Sequence, residues 1–165
     1  MQRANVEITP KKYISTITTI HLALVSGILM FGAVIYFQND DWTLNFSETK
    51  NIFFYIVPLL AIVGIVGGNF FFKTQMEGLK SKPRLLDKVN GHKKAMIIKF
   101  AFIEAPALLG IMSSMQSGNL FYLIVAGLLF VYFISLKPTK SKIEESLALD
   151  SKLKDQFNMS DKVID

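Results

Sequence analysis

Apolar residues run through four stretches of the chain, at 13–37, 52–72, 95–115 and 119–136, interrupted by charge only at Lys99 and Glu104 in the third. Each run is about 18–25 residues, the length a helix needs to cross a hydrocarbon core of about 30 Å at 1.5 Å per residue. In lipid, every backbone amide has to be paired within its own segment, so the runs predict helices rather than open strands. The expected fold is an all-α, integral membrane four-helix bundle spanning 13–136, preceded by a short arm at 1–12 and followed by a tail at 137–165. The first run is too long for the apolar part of a signal peptide and no small-residue cleavage pattern follows it, so it reads as a retained span.

The tail carries a different period. Ile143, Leu147, Leu149, Leu153 and Phe157 fall on one side of a helical wheel, with Asp150 and Lys154 at i,i+4 on the other. This pattern predicts one amphipathic helix over about 143–157, lying on a membrane surface or docked on a partner.

Charged residues make up 19% of the chain and are confined almost entirely to the segments between the apolar runs. A soluble domain would scatter them along every element, and a disordered chain would have far fewer than the 51% hydrophobic residues found here. The segments alternate in sign. Arg3, Lys11 and Lys12 precede the first run, and Asp40, Asp41 and Glu48 outweigh Lys50 in the loop 38–51. Lys73, Lys80, Lys82, Arg84, Lys88, Lys93 and Lys94 outweigh Glu77 and Asp87 in the loop 73–94, and Lys137, Lys140 and Lys142 open the tail. By the positive-inside rule both termini and the middle loop are cytoplasmic, with Lys12, Lys73, Lys94, Lys99 and Lys137 as topology anchors. The net charge of +5 therefore reads as topology and not as a nucleic-acid surface. The expected location is the inner membrane of a bacterial cell.

A shift of 78 residues lays Gly32 on Gly110 and Gln38 on Gln116, which points to a duplicated helical hairpin entering twice from the same side. Chance similarity between two apolar helices is the competing explanation.

An ionisable group at mid-bilayer costs about 2.5–3.5 kcal/mol on insertion scales, so each one asks for a reason. Glu104 lies ten residues past Lys94, roughly 15 Å along a helix, near mid-depth. It is the first candidate for an ion or proton site, with a hydrogen-bonded, helix-gluing carboxyl as the structural alternative. His21 lies at similar depth and is the second candidate, as a partner for Glu104 or as a neutral ring bonded to a neighbouring helix. In the second run, Gly64, Gly67 and Gly68 form a small-residue strip suited to close helix packing, as does Gly110 in the third. Pro106 frees a backbone carbonyl and so belongs with the packing residues.

One His and one Glu are too few for a metal site, and the chain has no cysteine. No zinc-protease, phosphate-loop, dinucleotide or nucleophile-elbow motif is present, so no metal, cofactor or catalytic set is expected.

The stretch Glu104-Ala-Pro-Ala-Leu-Leu-Gly110 resembles the carboxylate helix of the rotary ATPase proteolipids, the c and K subunits. The run from Ala61 through Gly64 to Gly67 and Gly68 is similar to their glycine-rich inner helix. The resemblance implies that Glu104 would be the ion-carrying carboxylate. Two functions follow. One is a non-enzymatic structural or accessory subunit of a larger membrane complex, with other membrane subunits or a second copy as partner. The other is a proton- or cation-coupled translocating protein working through Glu104.

Overall fold

The structure is a computed structural model describing residues 8–164; Arg3 and the rest of 1–7 in the N-terminal arm lie outside the described residues, as does residue 165. Six helices follow one another: α1 (Pro10–Gln38), α2 (Phe53–Lys80), α3 (Leu85–Ser117), α4 (Leu120–Ser135), α5 (Lys140–Leu147) and α6 (Ser151–Asn158). The described residues hold no strand, only an isolated bridge between Thr43 and Asn119.

Local chemistry sets the ends. Thr9 caps α1, its hydroxyl accepting from Lys12 N at 3.2 Å, and Pro10 occupies the first turn where its missing N–H costs nothing. Gly118 ends α3 in the left-handed region (φ 65°), its N–H bonding Ser114 O at 2.9 Å. Asn119 then opens α4 at once, its Oδ1 accepting from Phe121 N at 3.0 Å. Helix α4 stops near Pro138, which disfavours helical backbone at the residue before it.

α1, α2 and α3 are each long and apolar enough to cross a membrane. The run at 119–136 yields only a 16-residue α4, about 24 Å long, which reaches that standard only when taken together with α5, bent away by 81°. The other helices overrun the apolar stretches. The loop expected over 73–94 is mostly helix and contracts to 81–84, because Lys, Gln, Glu, Met and Leu all favour helix and the edge of an apolar run is no signal to the backbone.

The long helices run up, down, up and down. The segments 39–52 and 118–119 meet at one end, where Thr43 N donates to Gly118 O at 2.9 Å and Leu120 N to Thr43 O at 2.8 Å. The opposite, basic end gathers the start of α1, the α2–α3 turn and the tail. Helix α3 is central and packs against α1, α2, α4 and α5.

Glycines bring α2 onto α3. A Cβ on Gly64 would lie 2.3 Å from the backbone oxygen of Phe102 and 3.1 Å from Pro106 Cγ, and one on Gly68 would lie 3.1 Å from Phe102 Cβ. Gly67 faces the Phe102 ring at 3.4 Å. Pro106 has no N–H to offer the Phe102 carbonyl four residues back, so this oxygen is left bare where Gly64 approaches it. On the other flank, a Cβ on Gly110 would be 3.0 Å from Tyr122 O of α4.

The tail departs from the single amphipathic helix expected over 143–157. Ala148 takes a left-handed conformation (φ 44°) that ends α5. Asp150 starts α6 by accepting from Leu153 N at 2.8 Å, so its carboxylate serves as a cap and not as an i,i+4 partner for Lys154. Lys154 instead reaches Glu144, at 3.8 Å. The break folds the apolar stripe inward: Ile143, Leu147 and Phe157 are buried in the same core as Tyr13, Val89 and Met96. The outer faces of the long helices remain apolar and uncovered, as at Phe70, Leu128 and Val131.

Candidate functional site

The polar side chains buried among apolar ones are where function would have to reside, because each costs free energy unless it is bonded. Most of them sit at helix ends, where the last carbonyls of a helix have no partner of their own.

His21 is buried in α1 between the rings of Phe100 and Phe133, each centroid 5.2 Å away. Its Nε2 lies 2.9 Å from Phe133 O, and a carbonyl only accepts, so Nε2 carries the proton. Phe133 is in the last turn of α4. Its neighbours there are served by Lys142, whose Nζ donates to Ser135 O at 2.9 Å and Lys137 O at 3.3 Å.

The same device recurs at the α2–α3 turn. Lys88 is buried, and its Nζ donates to Leu79 O at 3.0 Å, Lys80 O at 3.1 Å and Leu147 O at 3.5 Å. One ammonium thus closes the C-termini of α2 and α5, where the helix dipoles place negative potential. Beside it, His92 is buried under Phe72, with Nδ1 hydrogen-bonded to the Tyr13 hydroxyl. His92 precedes the apolar run at 95–115. Burial alone drives its pKa down, to about 4, so the ring is neutral at physiological pH.

A further polar knot lies at the other end of the bundle. Asn119 Nδ2 donates to Glu48 Oε2 at 2.8 Å and to Asn45 O at 2.9 Å, while Asn51 Nδ2 donates to Glu48 Oε1 at 3.2 Å. It ties the first loop to the α3–α4 turn.

Glu104 belongs to none of these groups. It is half-buried in α3, two residues before Pro106, and makes no hydrogen bond or ion pair among the described residues. Its height can be read from the seam between α1 and α3. Tyr13 meets His92, His21 meets Phe100 and Gly32 meets Ile111, every pair 79 residues apart, so Glu104 lies level with Val25. His21 is about one turn nearer the basic end, and no hydrogen bond joins it to Glu104 among the described residues. Of the proposed anchors, Lys12, Lys73, Lys94 and Lys137 are exposed at the basic end, whereas Lys99 is half-buried with Nζ 4.9 Å from the Phe72 ring centroid.

Reading the residues in order gave no sign of Lys88, Tyr13 or Glu48 as bonded partners. Lys88 is one of many lysines in its segment. Asn119 carried a usable signal, since a Gly-Asn pair before an apolar run marks a helix stop followed by a helix cap.

The chain matches no known protein-family model, and no curated protein or solved structure shows significant similarity to it.

Proposed function

We propose that this chain is a four-span inner-membrane protein acting as a non-enzymatic structural or accessory subunit of a larger membrane complex. In this reading α4, with the bend that follows it, makes the fourth crossing. The tail end of the bundle is cytoplasmic, in keeping with the lysines gathered there and the acidic residues of the loop 38–51. The apolar outer faces of α1–α4 meet lipid or neighbouring chains.

One observation carries the reading: the buried donors His21 and Lys88, and the exposed Lys142, are committed to helix-terminal carbonyls, whereas Glu104 has no intrachain partner among the described residues. Polar groups spent on helix ends hold a scaffold together. A half-buried carboxyl in an apolar helix finds its partner on another molecule.

That same carboxyl supports a second reading, a proton- or cation-coupled translocating element in which Glu104 loads and unloads an ion, in line with the proteolipid resemblance. Isolation of the tagged chain from native membranes in mild detergent, with mass spectrometry of what accompanies it, separates the two. The subunit reading expects a stoichiometric set of other membrane proteins, released by Glu104→Ala. A lone chain or homo-oligomer that moves protons in liposomes, and stops doing so as Glu104→Gln, would replace it with the second.

A further inference from the structure

A cavity of about 200 Å³ opens where α4 ends and the chain bends into α5. Its floor is apolar, from Phe72, Met96 and Ile143, and its polar lining includes Lys99, Lys142 and His92. No carboxylate lines it. At about 30 Å³ per water, the volume equals roughly seven waters, enough for a compact polyatomic group.

The donors left unspent in the cavity all belong to its basic side chains. Lys99 makes no hydrogen bond among the described residues, so its three N–H donors are unspent. Lys142 uses its ammonium on two carbonyls and has one N–H left. His92 has Nδ1 engaged by Tyr13; a hydroxyl donating there leaves the ring proton on Nε2. The two lining hydroxyls, Ser135 and Ser146, already donate to Tyr132 O and Ile143 O. Two lysines and an imidazole line the cavity with no acid to answer them, above an apolar floor. The complementary ligand carries several acceptor oxygens, negative charge and an apolar body.

We infer that this cavity binds a phosphate group, and that the phosphate is carried by an anionic phospholipid. The inference rests on the membrane reading above. Lys99 lies only five residues, about 7 Å, inside Lys94, the depth at which headgroups give way to acyl chains. A lipid phosphate can occupy the cavity from the side while its chains lie against the uncovered apolar faces nearby.

The test uses the full chain in phosphatidylcholine micelles titrated with phosphatidylglycerol and read by native mass spectrometry. One phosphatidylglycerol should be retained per chain. Retention should weaken about tenfold in Lys99→Gln, recover in Lys99→Arg, and be unchanged when Lys93 and Lys94 are both replaced by Gln. Lys99→Gln should melt within a few degrees of the wild type in phosphatidylcholine alone, since Lys99 makes no hydrogen bond among the described residues and only a ring contact with Phe72. Equal retention by wild type and Lys99→Gln overturns the proposal, as does an equal loss in the Lys93/Lys94 variant. If inorganic phosphate alone raises the melting temperature in a Lys99-dependent way and phosphatidylglycerol is not retained, the lipid source is overturned and the cavity is a soluble-phosphate site. Extraction of the native membranes with alkaline carbonate tells these failures from failure of the membrane reading, which would release the chain into the wash.

Discussion

Tyr13 and His92 are 79 residues apart and face one another across the seam of α1 and α3, at the same offset as His21 with Phe100 and Gly32 with Ile111. Two parallel helices therefore keep one register along most of their shared length, and the Tyr13–His92 hydrogen bond fixes that register at the basic end. Tyr13→Phe keeps the ring against Phe157 but leaves a buried imidazole nitrogen unpaired. The expected cost is on the order of 1–3 kcal/mol. It should show as a lower melting temperature in detergent, with near-wild-type melting for Tyr36→Phe, whose ring stacks on Trp42 at the other end.

Acid should weaken the same corner. In the unfolded chain His92 takes up a proton near pH 6.5, while in the fold burial holds its pKa down to about 4. Between those values the unfolded state binds more protons, so stability falls as pH drops through the window and levels off below it. The full loss is on the order of 3 kcal/mol, and Tm measured at steps from pH 7 to pH 4 should decline more steeply in wild type than in His92→Phe.

Gly64 is the tightest point between α2 and α3. Gly64→Ala puts a methyl group onto the Phe102 carbonyl, which is backbone and cannot swing aside. Overpacking of this kind costs on the order of 1–3 kcal/mol, and the helix pair must separate. Gly78→Ala, in the same helix with open space around it, should be neutral or slightly stabilising. Trypsin accessibility of the α2–α3 turn at 81–84 reads the difference: faster cleavage for Gly64→Ala, unchanged cleavage for Gly78→Ala.

Lys88 behaves as a part of the backbone network and not as a surface charge. Lys88→Met fills the same space but removes the ammonium donor shared by Leu79 O, Lys80 O and Leu147 O, of which Leu79 O alone keeps a backbone N–H, from Lys82, at about 1–3 kcal/mol. Hydrogen exchange at the ends of α2 and α5 should speed up, whereas Lys94→Met, at an exposed position, should leave both ends unchanged.

The long helices were legible because apolar runs of this length have few folded solutions. Their true ends were not, since Lys73 and Lys94 mark the edges of apolar runs and the helices continue past them. The tail shows the limit most clearly. Its apolar stripe is real, yet Ala148 gives no hint of a left-handed backbone, and Asp150 reads equally well as a helical surface residue or as a cap. His21 and Glu104 both stood out as ionisable groups within apolar runs. Which of them is satisfied depended on the height of α4 relative to α1, and that height is set by packing at Gly110 and by the stop near Pro138, not by any periodicity.

The latch between tail and α1 also has a consequence for synthesis. Ile164 N bonds Ile8 O at 2.8 Å, Lys11 N bonds Ser160 O at 3.1 Å, and Phe157 lies edge-on to Tyr13. The surface of α1 that they cover is synthesised first, and its cover arrives more than 140 residues later. Throughout elongation this strip of the nascent chain stays open to chaperones and proteases, and the ribosome must finish the tail before it is shielded. Premature termination anywhere in α5 or α6 would leave four apolar helices intact and still mark the product as incomplete.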